Sequence, residues 1–483
     1  LSRRQRQMCI RDSCNSALRV LNAATDEQVN GRVSRIAEMK VLRAHYYFEL
    51  SRLFNKIPYF DENVEISQYP DIPNNEFTRD EILSMLAEEM LDAAEQLPAS
   101  QPEVGRIHKY IALAYAAKIK LYQAYQQDET THAVTSINKE LLREVVSLCD
   151  QVTASNRYGL LDDFQGLDLV ANENGKESVF AIQYSMNDGT ESAGRINWSN
   201  LLNSPGGGSP YGGDGFFLPS QDLINAYQTD ANGLPDFNYQ SKSDYSWAVL
   251  NNGVYTLQNT TPNVDPRLDF VVGRPTITWK TYPDKPCEGW VRDKETYGYN
   301  CAKRFWVSPE SSDMFNGWPW GASQLNWQII RYADILLWKA EALIELNEGN
   351  GLETARDLIN QIRNRARNSA YVKDFNDHSK YAANYLVNPY PADVWNQDYA
   401  RQALRWETRL EKALEGERFF DLVRWGIVET TMNKYITAES DNRIYYANAH
   451  FTGGKDEYYP VPNNQYGFSG GKYVQNPGYA PFN

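Results

Sequence analysis

Six of the chain's twelve tryptophans lie between Trp279 and Trp327, and the residues between them forbid regular structure. In Asn316-Gly317-Trp318-Pro319-Trp320-Gly321 the interleaved breakers stop both the helical and the strand period. Trp279, Trp290, Trp306, Trp318, Trp320 and Trp327, with Tyr282, Tyr297 and Tyr299, are therefore expected on loops. Large rings on loops either anchor those loops to a core or face a ligand. A flat ring with polar neighbours matches a ligand that is apolar on its faces and polar at its rim, which describes a sugar.

On either side of this region the chain reads as helix. Val33, Ile36, Val41, Ala44 and Phe48 predict a helix from Arg32 to Phe54. Tyr46, Leu50 and Leu53 give it a second apolar face, as in a helix packed between others. Thr78 and Glu81 predict a capping box, with Phe77 and Ile82 at the staple positions, for a helix that Pro98 ends. Further helices are expected over about 105–126, 139–155, 328–346, 352–367 and 401–428. From 156 to 326 Gly, Pro, Asn and aromatics take over, with a short strand at Ser178-Val179-Phe180-Ala181-Ile182 and a helix opening near Ser220. Paired helices of this length predict tetratricopeptide-like hairpins without a strict 34-residue repeat. The expected organisation is a leader (1–13), a helical block (14–155), a loop-rich region (156–326), a second helical block (327–430) and terminal loops (431–483).

At 483 residues the chain exceeds what one compact core holds. No apolar run approaches the roughly 20 residues that span a bilayer, and the mean hydropathy is -0.60. Lys and Arg total 48 against 62 Asp and Glu, a net charge of -14, which argues against a nucleic-acid partner and favours neutral ligands. Leu1-Ser2-Arg3-Arg4-Gln5-Arg6-Gln7 is basic and lacks the apolar segment of a secretory signal. Residues 1–13 are therefore expected to be foreign to the natural chain, with the native start missing. Cys149 is expected as a buried thiol. Cys287 and Cys301 bracket part of the tryptophan-rich segment and admit either a loop-closing disulfide or two reduced thiols.

No catalytic motif emerges. The five histidines are scattered, no C-x-x-C occurs, and the glycines from 206 to 215 lack the Lys-Ser/Thr of a phosphate loop. A glycosidase carboxylate pair stays open on sequence alone. Asp421 with Arg424, and Glu407 and Glu411 flanking Arg409, have the spacing of scaffold ion pairs instead. No catalytic residue, metal ligand or cofactor is assigned, and bound calcium is left open.

Several strings resemble the SusD/RagB-like nutrient-binding lipoproteins of the outer membrane. They are Glu38-Met39-Lys40-Val41-Leu42-Arg43-Ala44-His45-Tyr46-Tyr47-Phe48 with Leu53-Phe54-Asn55-Lys56-Ile57-Pro58-Tyr59, Asp265-Pro266-Arg267, and Ile330-Arg331-Tyr332-Ala333-Asp334-Ile335-Leu336-Leu337 with Ala340-Glu341-Ala342. Ile359-Asn360-Gln361-Ile362-Arg363 follows, then Glu415-Gly416-Glu417-Arg418-Phe419-Phe420-Asp421-Leu422-Val423-Arg424-Trp425, and the closing Tyr459-Pro460-Val461-Pro462 and Gln475-Asn476-Pro477-Gly478-Tyr479. The resemblance implies a mainly α fold, a tetratricopeptide-like helix-pair superhelix with a large irregular, loop-rich subdomain carrying short strands. It also implies a cell-surface location and an oligosaccharide or polysaccharide ligand. The implied partner is a SusC-like TonB-dependent transporter, with membrane attachment only through a lipid anchor absent from this chain. Such proteins bind glycans and are not enzymes. An α-helical glycoside hydrolase and a tetratricopeptide protein-interaction adaptor are the alternatives.

Within that reading Arg331, Asp334, Arg418, Asp421 and the Asp265-Pro266-Arg267 turn are expected to be structural, because charges on packed helices pair with one another. The tryptophan-rich segment is expected to form a glycan platform facing the loop from Asp61 to Pro73. Trp290, Trp318, Trp320 and Tyr297 are the stacking candidates, Tyr69 is a ligand-binding candidate on the facing loop, and Asp71 and Asn316 are the hydroxyl contacts. Trp306 and Trp327 are expected to pack, and Trp279 is left open.

Overall fold

The computed structural model describes residues 3–482 apart from 191–193, 199–202, 204–207, 214, 246–247, 252–253, 258–261, 283–289, 293–297, 299 and 318–320. Five helices, α1 (Arg3–Ala23), α2 (Arg32–Phe54), α3 (Arg79–Gln96), α4 (Lys109–Ala124) and α5 (Lys139–Ala154), stack in chain order, each on the next. The short helices α6 (Gln221–Ala226) and α7 (Arg267–Val271) lie in the intervening segment. The stack then resumes: α8 (Tyr332–Leu346) packs on α5, and α9 (Gly351–Asn368) and α10 (Gln397–Glu411) pack on α8. Next come α11 (Arg418–Arg424), α12 (Val428–Ser440) and the short α13 (Asn463–Phe468). Among the described residues no helix is long and apolar enough to cross a membrane.

The two helical blocks share one core. Phe48 of α2 and Tyr115 of α4 belong to the same buried cluster as Ile335, Trp338 and Ala342 of α8. At its centre α4 buries Ala112, Ala116 and Ala117 completely. These small side chains let α3 and α5 approach on both flanks, which is why α4 carries almost no exposed surface.

Local signals set several boundaries as expected. The side chain of Thr78 accepts the N–H of Glu81 at 3.2 Å, and the Glu81 carboxylate accepts the N–H of Thr78 at 2.8 Å. This reciprocal pair satisfies two of the donors left open at a helix start. The strands come in antiparallel pairs: β1 (Tyr125–Gln127) with β2 (Val134–Ile137), β3 (Ser178–Ile182) with β8 (Trp327–Arg331), β4 (Ala248–Asn251) with β5 (Val254–Leu257), and β6 (Val272–Gly273) with β7 (Cys301–Ala302).

The first helix runs across residue 13, and just beyond it Cys14 and Leu18 are buried while Asn15 donates to the Phe60 carbonyl at 3.1 Å. Three expectations are corrected. Residues 328–331 are strand rather than helix, because β3 pairs with them; the helix waits for Tyr332, where the Asp334 carboxylate accepts the Arg331 N–H at 2.7 Å. The span 401–428 is broken into α10, α11 and the start of α12. Leu414 (φ 67°) and Gly416 (φ 83°) adopt left-handed backbone there, which ends one helix before the next begins. Finally, the terminal 50 residues are not all loop, since α12 continues to Ser440.

Candidate functional site

The tryptophan-rich segment forms its own small core. Tyr211, Trp279, Trp290, Val291, Cys301 and Trp306 are buried together, apart from the helical core. Trp279 and Trp290 meet edge to face at 4.9 Å, a geometry that suits the ring quadrupoles. Tyr211 is the hub: its hydroxyl donates to the Val307 carbonyl at 2.6 Å and accepts the Trp279 Nε1–H at 2.9 Å. Lys280, next to Trp279, ties the cluster to the scaffold through Asp168 at 3.0 Å.

This geometry sorts the aromatic residues. Trp306 is buried and Trp327 packs against Phe305 at 4.6 Å, as expected. Trp279, left open by the sequence, is fully buried. Trp290 is a correction: at 5 % exposure, with Trp279 on one side and Tyr211 on another, its ring is not open to a ligand. Tyr69 is a second correction. It is 5 % exposed, stacks on Phe60 at 3.9 Å, and its hydroxyl accepts from Arg19 at 3.0 Å. Trp318, Trp320, Tyr297 and Cys287 lie outside the described residues; Cys301 is a buried free thiol.

What the structure describes is the two segments that flank residues 318–320. Met314 bridges Ser323, and the Phe315 N–H donates to the Ala322 carbonyl at 2.8 Å, so these flanks pair antiparallel, as in a hairpin. Gly321 closes it with φ +73°, and a Cβ there would stand 3.0 Å from both Trp306 and Tyr211. The hairpin therefore rests directly on the aromatic core, and only glycine allows that approach. Asn316, on the first of these flanks, is exposed. Trp198, 45 % exposed, sits beside the same hairpin, because the Asn197 N–H donates to the Ser323 carbonyl at 2.9 Å. Sequence reasoning passed over Trp198 and the hub Tyr211, each a lone aromatic in a polar or glycine-rich run with no period to flag it. The loop 61–73 makes its contacts elsewhere. Asp71 is exposed and pairs with Lys472, and the neighbouring Asn74 donates to the Val474 carbonyl at 3.0 Å.

The carboxylates of the shared motifs are occupied. Arg267 pairs with Asp265 at 2.7 Å, with Glu407 at 2.6 Å and with Glu411 at 3.3 Å. Arg331 reaches Glu177 at 2.7 Å, Glu411 at 3.1 Å and Glu415 at 2.7 Å. Arg363 pairs with Glu407 at 3.0 Å, and Arg365 joins Glu177 to Glu411. Lys412 joins Asp334 to Glu415, and Arg304 joins Asp168 to Glu415. Burial alone would raise the Glu415 carboxyl, but Arg331, Lys412 and Arg304 outweigh it and hold it well below the usual range. Asp421 pairs with Arg424 at 3.0 Å as expected. Glu407 and Glu411 do not pair with Arg409, which turns to Asp222 at 2.6 Å. These buried acids hold elements together and are not poised for proton transfer.

The SusD family profile matches residues 176–479. A SusD-like protein of Bacteroides ovatus is 22% identical over 85% of this chain and 63% of its own, so the chain spans under two thirds of that relative. Two solved structures share the fold. A SusD superfamily protein from Bacteroides vulgatus superposes with a TM-score of 0.67 at 20% identity, over 96% of this chain and 82% of that one. Surface glycan-binding protein A from Bacteroides thetaiotaomicron, solved in complex with laminarihexaose, gives 0.61 at 18% identity over 96% and 82%. With the mainly helical scaffold and the motif acids holding it together, the match over residues 176–479 places this chain in the SusD family.

Proposed function

We propose that this protein captures oligosaccharides at the cell surface of an outer membrane and passes them to a SusC-like TonB-dependent transporter, without hydrolysing them and without a cofactor. The observation that carries the reading is the hairpin 314–323. The residues flanking Trp318-Pro319-Trp320 on both sides pair with each other and lean on the buried aromatic core, with exposed Asn316 and Trp198 nearby. The laminarihexaose complex of a structural relative supports a glycan as the ligand. Asp71 and Tyr297 remain hydroxyl and stacking candidates, while Trp290 and Tyr69 act by holding loops in place.

Two or three stacked rings contribute roughly 2.5 kcal/mol each, against an association cost of at least about 4 kcal/mol. Each hydroxyl hydrogen bond adds about 1 kcal/mol. With the two hydroxyl candidates, Asp71 and Asn316, the net is about 3–5.5 kcal/mol, an affinity in the roughly millimolar range, weak enough for release to a transporter. The test is calorimetric titration of a glycan selected on an array, laminarihexaose included. Trp318→Ala and Trp320→Ala should abolish binding while leaving the unfolding midpoint unchanged, and prolonged incubation should release no new reducing ends. Unchanged affinity in both variants overturns the platform; steady release of reducing ends overturns the non-enzymatic reading.

A further inference from the structure

A cleft of about 520 Å3 opens where three segments distant in sequence meet. They are the tip of the β1–β2 hairpin with His132, the turn from α11 into the first turn of α12 with Glu429, and the C-terminal loop with Gly453, Gly454 and Glu457. Glycine shapes it. Gly454 has φ +76°, and a Cβ on Gly453 would stand 2.8 Å from a carboxylate oxygen of Glu429. Glu429 instead lies against the bare backbone and accepts the Gly453 N–H at 3.0 Å.

Two polar side chains of this cleft are buried and incompletely partnered. Glu457 is 6 % exposed; its Oε1 accepts the Gly454 N–H at 3.1 Å, and its Oε2 has no hydrogen-bond partner. His132 is 3 % exposed, lies edge to face with Tyr458 at 4.8 Å, and has an unpartnered Nε2. Among the described residues no lysine or arginine lines the cleft, and Lys56 and Arg79 act on His132 only from outside it. A buried acceptor without a donor is costly, and two carboxylates lining one cleft without a cation disfavour each other's charge. Burial pushes Glu457 up and pulls His132 down to about 4, which leaves the imidazole neutral and able to accept at neutral pH. None of these residues belongs to the aromatic hairpin, so the cleft has its own chemistry to explain.

We infer that this cleft is a second binding site, for a small ligand carrying a primary ammonium group. An ammonium offers three N–H donors and no acceptor, and Glu429, Glu457 Oε2 and His132 Nε2 are three acceptors. The volume falls within the range of small-molecule sites, about 300–1,000 Å3. An amino sugar and a lysine side chain share this chemistry, and the probes separate them. Full-length protein is titrated with glucosamine, with lysine amide, and with N-acetylglucosamine, which has the same ring without the charge. Glucosamine, lysine amide or both should bind, N-acetylglucosamine should not, and the ligand that binds names the source. Glu457→Gln and Glu429→Gln, each near-isosteric, should weaken that binding about tenfold or more. Trp320→Ala should leave it unchanged. Failure of both amines to bind, equal binding of N-acetylglucosamine, or full affinity in both glutamine variants overturns the assignment.

Discussion

Glu411→Gln tests whether the buried charge network holds the helical blocks together. The Glu411 side chain is fully buried between Arg267 at 3.3 Å, Arg331 at 3.1 Å and Arg365, themselves at most 3% exposed. Glutamine keeps the shape and one acceptor oxygen but removes the charge, leaving one guanidinium in excess. Uncompensating a buried charge costs about 3–5 kcal/mol. An unfolding entropy of about 2.1 cal/mol/K per residue gives roughly 1 kcal/mol/K for a chain of this length. The midpoint in scanning calorimetry should therefore fall by about 3–5 °C. Burial raises the Glu411 carboxyl, but Arg365, Arg331 and Arg267 outweigh it and lower it overall. Its stabilisation is thus complete above the ordinary carboxylate range and lost as the pH falls through the folded value, so the gap between wild type and variant should close in acid. Removing one cation as well, in Glu411→Gln/Arg365→Met, should cost less than the sum of the single changes, because neutrality returns. A midpoint shift under about 1 °C for Glu411→Gln, or strict additivity in the double variant, would refute the reasoning.

Other substitutions probe the remaining links. Trp290→Ala should lower stability by about 3–5 kcal/mol through the cavity left between Trp279 and Tyr211; chemical denaturation checks this, and an unaltered midpoint would show that the ring is not packed. Burial raises the Glu173 carboxyl to about 7, so the folded state holds its proton more tightly than the unfolded chain and stability should fall as the pH rises from about 4.5 towards 7. Glu173→Gln should flatten that slope in a pH series of thermal melts, and an unchanged slope would exclude this group. Thr78→Ala should cost about 1 kcal/mol by removing the capping box of α3, readable as a matching loss in urea stability.

Where an energy is local, the sequence was sufficient. The span of α2, the capped start of α3 and the strand at Ser178–Ile182 follow from periodicity and capping that act within a few residues. The structural role of the motif charges was also legible, because charged residues on packed helices have to pair. Which partners they take was not. Glu407 chooses Arg267, 140 positions away, over adjacent Arg409, because i,i+4 acids share one helix face and that face turns inward, while Arg409 points to Asp222. Residues 328–331 read as helix until β3, about 150 positions earlier, offers its edge.

The aromatic segment shows the same division. Its breakers determined that Trp279, Trp290 and Trp306 would lie on loops, whereas Trp327, expected there too, opens strand β8 because β3 pairs with it; its composition pointed to a sugar-like ligand. Composition has no direction, however: a ring on a loop can turn inward or outward with the same neighbours. Only tertiary packing turned Trp279, Trp290 and Trp306 onto Tyr211 and left Trp198 exposed beside the hairpin. That choice rests on area buried between segments far apart in the chain, a quantity no local pattern encodes.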